Sequence, residues 1–288
     1  MERWLIAMAR VLGAAVGALA ALVALQFLRL RRYDFLPGHP GFYVNRTARP
    51  ATIDGGGPPL RLIVFGDSTV AGVGVDRPED ALPSLVAQRL ADGRYRRVHV
   101  TGYGWAGARV ADLVRDQVPR SLGPLRAGET DAVLPGADVV VVAIGANDAI
   151  RRTAPRAFRA DLRTVLATIR DAAPHAELVL AGIPRFRGAL PEVGVLVWIA
   201  DQYARVLRGI GRAEAAAAGA RHADLEREVP PRIGDVADVG DLLSTDRFHP
   251  SLAGYRLWAD VITESLEPPS GSSTPPVVPV GTTPLAQS

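Results

Sequence analysis

The stretch ADVVVVAIGAND, residues 137–148, decides the fold class that the sequence predicts. Its first eight residues are apolar except for one aspartate, and they lack the polar alternation of a strand with one face in water. Such a run is typical of a central strand in a parallel sheet that helices cover on both faces. The run ends at Gly145, and the polar residues Asn147 and Asp148 follow where such a strand would end.

Strand and helix patterns alternate on both sides of this central strand, between residues 60 and 267. Apolar runs predict strands at residues 60–65, 98–100, 137–144, 177–181 and 221–225. Helical periodicity and start signals predict helices at residues 80–90, 108–118, 158–172, 195–218 and 251–266. The alternation predicts an α/β protein with an open, doubly wound parallel sheet of about five strands and right-handed crossovers. In this architecture, ligands bind beyond the carboxyl ends of the strands.

Residues 1–32 contain a hydrophobic segment that predicts a single transmembrane anchor. Residues 11–28 are apolar apart from Gln26, and these 18 residues would span about 27 Å as a helix, close to the hydrocarbon thickness of a bilayer. A cleaved signal peptide is the alternative, because Ala18-Leu19-Ala20 resembles a cleavage site. Arginines at both ends of the segment leave the orientation open. We expect the remaining domain to be extracytoplasmic, either anchored or secreted.

Two segments of biased composition flank the α/β domain, which we place at residues 60–267. Residues 33–59 are rich in glycine and proline, and we expect a tether from which a short segment can pack on the domain. Residues 268–288 are rich in proline, serine and threonine and carry no charged side chain. We expect this last segment to be a disordered tail.

The amino-acid composition excludes several classes of enzyme. The 288 residues include no cysteine, which excludes disulfides, thiolate zinc sites, iron–sulfur clusters and cysteine nucleophiles. They include no lysine either, so all 33 basic residues are arginine and Schiff-base chemistry is excluded. The formal net charge is only +3, and no aromatic-interleaved basic stripe predicts a nucleic-acid partner. No His-Glu-x-x-His or similar cluster predicts a metal site.

Polar residues with catalytic potential follow the predicted strands. Ser68 follows the first strand, Asn147 follows the third, and His249 lies in the loop before the last helix. Taken singly, each has a structural explanation as a turn residue or a helix cap. Together they meet the needs of ester hydrolysis, with Ser68 as the nucleophile and His249 as its base. Asp246, three residues before the histidine, can hold the other imidazole nitrogen and fix its tautomer.

The same edge of the sheet offers hydrogen-bond donors for an oxyanion. The candidates are the N–H groups of Ser68 and Gly107 and the side-chain amide of Asn147. An amide suits this role because it donates hydrogen bonds without a titrating charge. Arg151 and Arg152 follow closely and could bind an anionic group of the substrate by bidentate hydrogen bonds. Solvated positions at a helix are the simpler explanation for these two arginines.

These motifs resemble those of the GDSL/SGNH hydrolase family. The Gly-Asp-Ser block matches residues 66–68, the Gly-x-Asn-Asp block matches residues 145–148, and the Asp-x-x-His block matches residues 246–249. The family's second block aligns on Gly107, with Gly104 as the alternative. The resemblance implies a flavodoxin-like three-layer α/β/α sheet and serine-dependent cleavage of esters or thioesters, with no cofactor.

The expected function is therefore that of a serine-dependent ester or thioester hydrolase held at a membrane by its N-terminal helix. The closeness of the anchor suggests an acyl substrate from a lipid or from the cell envelope. Two alternatives stay open. The same acyl-enzyme could pass its acyl group to an alcohol instead of water, as an acyltransferase, or the fold could serve as a non-catalytic binding module. The sequence carries no signal of the oligomeric state.

Overall fold

A computed structural model describes residues 2–36, 43–52, 54–123, 133–186, 188–233 and 239–266. Its centre is a six-stranded sheet with the strand order β1-β3-β2-β4-β5-β6. The strands are β1 (Asn45–Ala48), β2 (Leu60–Gly66), β3 (Val98–Gly104), β4 (Val139–Ala143), β5 (Glu177–Ala181) and β6 (Arg221–Ala223). Strands β2 to β6 pair in parallel, whereas β1 pairs antiparallel with β3.

Helices lie on both faces of this sheet, and one further helix extends from the N-terminus. They are α1 (Glu2–Leu30), α2 (Leu82–Arg94), α3 (Val110–Asp112), α4 (Val118–Ser121), α5 (Ala146–Ile150), α6 (Pro155–Ala172), α7 (Gly194–Ala217), α8 (Leu225–Glu228) and α9 (Leu252–Glu264). A π-helical turn, Leu113–Gln117, joins α3 to α4. The fold class that the sequence predicts, a three-layer α/β/α protein with an N-terminal apolar helix, is confirmed.

Strand β4 explains why the polyvaline run decides the fold. Val139 and Val141 belong to the core that the sheet forms with α2 and α9, and Val140 and Val142 belong to the opposite core with α6 and α7. All four valines have no exposed surface. A strand whose side chains alternate between two cores has no face for water, so both sets of positions must be apolar.

The sheet differs from the prediction of about five strands at its edge. The additional strand is β1, which lies within residues 33–59, the segment predicted as a tether. Its sequence, Asn-Arg-Thr-Ala, lacks an apolar alternation, and only Ala48 is buried. An edge strand gains its stability from backbone pairing on one side, and its polar side chains can face water. Hydrophobic periodicity therefore carried no signal for it.

Helix α1 is the one helix, among the described residues, that is long and apolar enough to cross a membrane. Residues 3–30 have a mean hydropathy of 2.3 in their most apolar window, and almost all of that window is exposed. A membrane anchor and a signal sequence both have this property. The predicted tail, residues 268–288, lies outside the described residues.

Candidate active site

The ends of three neighbouring strands are level at one edge of the sheet. Gly66, the last residue of β2, pairs with Gly104 of β3 on one side and with Ala143 of β4 on the other. The segments that leave these strands therefore start beside each other. Gly66 and Gly104 have no room for a side chain, because a Cβ atom would collide with the backbone or with Val70. This close approach lets the turn after β2 fold over the sheet edge.

Ser68 lies in the turn that follows β2 and is 7% exposed. Asp67, its buried neighbour, shapes the turn by accepting hydrogen bonds from the N–H and the hydroxyl of Thr69, both at 3.0 Å. Burial raises the pKa of Asp67 above its usual value, although the bonds from Thr69 oppose this shift. The turn is therefore organised around a side chain that the sequence motif contains but to which the sequence analysis assigned no role.

Gln117 supports the same turn from the π-helical segment. Its Oε1 atom accepts a hydrogen bond from the Gly66 N–H at 3.1 Å, and its Nε2 atom donates one to the Gly66 carbonyl at 2.7 Å. The side chain has no exposed surface. Sequence reasoning missed this residue, since a glutamine within an amphipathic helix has no local signal that distinguishes a buried partner from a solvated one.

His249 and Asp246 come from a single tight turn before α9. The Asp246 carboxylate binds its own turn, because Oδ1 accepts from the N–H groups of Phe248 and His249, both at 3.0 Å. The Ser244 hydroxyl donates to the same oxygen at 2.8 Å. Arg247, between them, has a φ of 51°, which is a strained left-handed conformation for a residue with a side chain.

The structure brings Ser68, His249 and Asp246 into one hydrogen-bonded chain. His249 Nδ1 lies 2.6 Å from Asp246 Oδ2, and His249 Nε2 lies 3.2 Å from Ser68 Oγ. A carboxylate only accepts, so the imidazole proton is assigned to Nδ1, which leaves Nε2 as the acceptor for the serine hydroxyl. Burial alone would raise the pKa of Asp246, but hydrogen bonds from His249, Phe248 and Ser244 hold this pKa well below its usual value. The aspartate thus stays ionised beside the imidazole.

The three predicted oxyanion donors also meet beside Ser68. Ser68, Gly107 and Asn147 line the same pocket, whereas Gly104 does not line it. Within the described part of the chain, the N–H groups of Ser68 and Gly107 have no acceptor. Asn147, in the first turn of α5, donates from Nδ2 to the Ala108 carbonyl at 3.0 Å and makes a longer contact of 3.4 Å with Asp67.

Arg151 and Arg152 lie at the rim of this pocket, and both are exposed. A Cβ atom built on Gly107 would lie 3.5 Å from the Arg151 guanidinium, so this cation is close to the candidate oxyanion donors. Gly107 has a φ of +79°, which favours glycine at this position. Among the residues described, neither arginine forms an ion pair.

The pocket is a groove of about 690 Å³ that starts at Ser68 and continues as an apolar channel. One wall comes from α7 and the loop before it, and includes Leu190, Val193, Leu196 and Val197. The opposite wall comes from the end of α1 and the residues after it: Phe27, Leu30, Phe35 and Leu36. No sequence motif pointed to this second wall. In the described part of the chain, no group of three or more His, Asp or Glu side chains is arranged to bind a metal ion.

A three-layer α/β/α sheet with a serine, a histidine and an aspartate joined at its carboxyl edge has the architecture of a serine hydrolase. The chain belongs to the GDSL-like lipase/acylhydrolase family, whose model matches residues 64–257. It is a GDSL/SGNH-type carboxylic ester hydrolase, and the resemblance found in the sequence is confirmed.

Individual relatives agree with this assignment. The chain is 28% identical over 251 residues to the GDSL-like esterase Rv1075c of Mycobacterium tuberculosis, over 81% of this chain and 70% of that protein. The crystal structure of TesA matches with a TM-score of 0.53 and 24% identity, over 72% of this chain and 98% of TesA. The lipase/acylhydrolase from Enterococcus faecalis matches with a TM-score of 0.53 and 22% identity, over 72% of this chain and 95% of that one. These structures share the fold.

Proposed function

We propose that the protein hydrolyses carboxylic esters or thioesters through a covalent acyl-enzyme, with Ser68 as the nucleophile, His249 as the base and Asp246 as the group that orients the base. The observation that carries this proposal is the continuous hydrogen-bonded chain from Asp246 Oδ2 through the imidazole to Ser68 Oγ, at 2.6 and 3.2 Å. The ionised aspartate stabilises the imidazolium that forms when His249 accepts a proton.

The reaction proceeds in two steps. Ser68 Oγ attacks the carbonyl carbon while its proton passes to His249 Nε2, and the collapse of the tetrahedral intermediate expels the alcohol or thiol, which takes that proton. Water then attacks the acyl-enzyme, gives a proton to His249 and releases the acid, and Ser68 regains its hydroxyl proton. The N–H groups of Ser68 and Gly107 stabilise the oxyanion in both steps. Asn147 adds a third donor, because its long contact with Asp67 yields to a stronger acceptor.

A direct test uses the full-length chain in mild detergent. The wild type should hydrolyse p-nitrophenyl esters and should be labelled by a fluorophosphonate, and Ser68→Ala should lose both properties. Thr69→Ser, a hydroxyl change at the next residue, serves as the matched control. Hydrolysis that survives Ser68→Ala would refute the assignment of the nucleophile. Labelling of the wild type without release of acid, but with transfer of the acyl group to an added alcohol, would replace the hydrolase with an acyltransferase.

In this proposal the enzyme acts on its substrate at a membrane surface. Helix α1 holds the catalytic domain at that surface, on the side outside the cytoplasm. The chain contains no cysteine, so a single introduced cysteine reports its own side of the membrane. Arg256→Cys is suitable because Arg256 is exposed on α9. An impermeant maleimide should label it in intact cells. Labelling only after lysis would place the domain in the cytoplasm, and a soluble protein that begins just after Ala20 would identify a cleaved signal sequence.

Arg151 and Arg152 are the proposed site for an anionic group on the substrate, such as a phosphate or carboxylate. Their support is the position of both side chains at the rim of the pocket, without an ion-pair partner among the described residues. The double variant Arg151→Ala/Arg152→Ala should lose more activity on anionic esters than on neutral ones. Arg156→Ala, at an exposed position on α6, is the control. An equal loss on both substrate classes would exclude the anion site.

A further inference from the structure

The end of α1 is attached to the catalytic domain by a specific polar contact. Gln26 is 7% exposed, although its neighbours on α1 are largely exposed. Its Oε1 atom accepts hydrogen bonds from the N–H groups of Val195 and Leu196, at 3.0 and 3.2 Å. These N–H groups belong to the first turn of α7, where a helix has no internal acceptors. Gln26 therefore caps α7 and fixes the position of the apolar helix.

The residues that follow α1 contact the Asp246 turn. The Leu36 N–H donates to Asp246 Oδ2 at 3.1 Å, the same oxygen that holds His249 Nδ1. The Tyr33 hydroxyl donates to the Asp246 carbonyl at 2.9 Å. Aromatic contacts continue the connection, since Phe35 packs edge-on against Phe248, which packs edge-on against His249, with centroids 5.4 and 5.0 Å apart. The segment thus reaches the histidine and aspartate by two kinds of contact.

We propose that residues 27–36 complete the active site: they form one wall of a binding site for a long acyl chain, and Leu36 positions Asp246. This inference rests on the proposed function, because it assigns the substrate class of the same site. The groove starts at Ser68, where the scissile carbonyl would lie, and runs between Leu30 and Phe35 on one side and Leu196 and Val197 on the other. Such a channel fits an unbranched hydrocarbon chain.

The location of the groove favours acyl esters that come from a bilayer. Its wall contains the last turn of the helix that can cross a membrane. Phe27 in that turn is 54% exposed, and Trp198, next to the lining residue Val197, is 62% exposed. Tryptophan is enriched where proteins meet the membrane interface. A lipid acyl chain could pass from the bilayer into the groove without crossing water.

The acyl-chain part of the proposal predicts a length dependence that the wall controls. In the wild type, kcat/KM should rise by up to about fourfold for each methylene group that enters the groove, because each is removed from water. Leu30→Ala and Phe35→Ala should each lower the ratio of kcat/KM for palmitoyl to butyryl p-nitrophenyl ester by about tenfold or more. Leu28→Ala is the matched control, since Leu28 is on the same helix but exposed and outside the groove.

The positioning part is tested at Leu36 by two substitutions that differ in one hydrogen-bond donor. Leu36→Ala keeps the backbone N–H, and Leu36→Pro removes it. Leu36→Pro should lower kcat by about tenfold relative to Leu36→Ala on every chain length, with KM equal in the two variants. A loss caused by changed packing alone would move KM and would depend on chain length. Tyr33→Phe gives a second measurement on the same turn without a backbone change.

The outcomes separate this inference from the proposed function. A wild type that no fluorophosphonate labels would refute the proposed function itself. Labelling and butyrate hydrolysis by the wild type, with a palmitoyl to butyryl ratio that Leu30→Ala and Phe35→Ala leave unchanged, would overturn the acyl wall alone. Equal kcat values for Leu36→Pro and Leu36→Ala, together with a wild-type kcat for Tyr33→Phe, would overturn the positioning role. Hydrolysis of a diacyl phospholipid in vesicles supports the bilayer source, and activity on palmitoyl-coenzyme A but not on vesicles overturns it.

Discussion

Replacement of Gln117 by methionine is expected to destabilise the turn that carries Ser68. Methionine has a similar shape, but it can replace neither of the hydrogen bonds that Gln117 makes with the N–H and the carbonyl of Gly66. Both groups lie in a site without solvent, since Gln117 is fully buried. A buried polar group that loses its partner costs about 1–3 kcal/mol, so the two together should lower the free energy of unfolding by about 2–6 kcal/mol.

Thermal unfolding of the detergent-solubilised chain measures this effect through its four tryptophans. For a domain of this size, the expected loss corresponds to a fall in Tm of roughly 4–24 °C. Arg115→Met, in the same π-helical turn, is the matched control, because the Arg115 side chain is 67% exposed and water screens its ion pairs. Equal Tm values for the two variants would refute the supporting role of Gln117.

A third variant, Gln117→Glu, tests the hydrogen bonds themselves. An ionised glutamate accepts from the Gly66 N–H but has no proton for the Gly66 carbonyl, and its charge is buried. A protonated glutamate both accepts and donates. The Tm of Gln117→Glu relative to the wild type should therefore recover as the pH falls. A pH-independent difference between the two would contradict this explanation.

Three further predictions concern charge and backbone strain near the site. Burial raises the pKa of Asp67 in the folded protein above its unfolded value of about 3.8, so the folded protein is destabilised once the pH exceeds that unfolded pKa and the group must ionise. The Tm of Asp67→Asn relative to that of the wild type should therefore increase between pH 3 and pH 7. Hydrogen bonds lower the pKa of Asp246 in the folded protein below its unfolded pKa of about 3.8. The carboxylate therefore stabilises the fold fully at a pH above the unfolded pKa, and this stabilisation is lost as the pH falls towards the folded-state pKa. The Tm deficit of Asp246→Asn should therefore be largest at neutral pH and should shrink in acid, and a constant deficit would contradict the assigned shift. Arg247 has a φ of 51°, so the Arg247→Gly variant should be about 1 kcal/mol more stable than the Arg247→Ala variant. Equal Tm values for these two variants would show that the backbone at this position is not strained.

The parts of the site that could be predicted from the sequence are those that local patterns encode. Each strand end is marked by a change from an apolar run to glycine and polar residues, and parallel strands place such ends at one edge. That reasoning placed Ser68 and Asn147 at the same edge, and the structure has them in one pocket. The pairing of His249 with Asp246 was also predictable, because a spacing of three residues lets both side chains come from one turn.

The contacts that join distant segments could not be predicted. Leu36 and Asp246 are 210 residues apart, and their hydrogen bond uses a backbone N–H that every residue except proline has. Gln117 approaches Gly66 across 51 residues for similar reasons. One signal was visible, since Gln26 is the one polar residue in the apolar run of residues 11–28. A polar side chain at that place needs a partner, and its partner is the start of α7.

The two carboxylate oxygens of Asp246 have different kinds of hydrogen-bond partner: Oδ1 binds residues of its own turn, and Oδ2 binds His249 and a segment that is distant in the sequence. Oδ1 is satisfied within the turn, by Ser244, Phe248 and His249, whatever the rest of the chain does. Besides the imidazole, Oδ2 has only the Leu36 N–H as a partner among the described residues. Detachment of the segment after α1 would leave the turn folded but would open this oxygen to water, which weakens its interaction with the imidazolium. In the proposed arrangement, the segment after α1 therefore both positions the Asp246 carboxylate and shields it from water, so its detachment would weaken the support of His249.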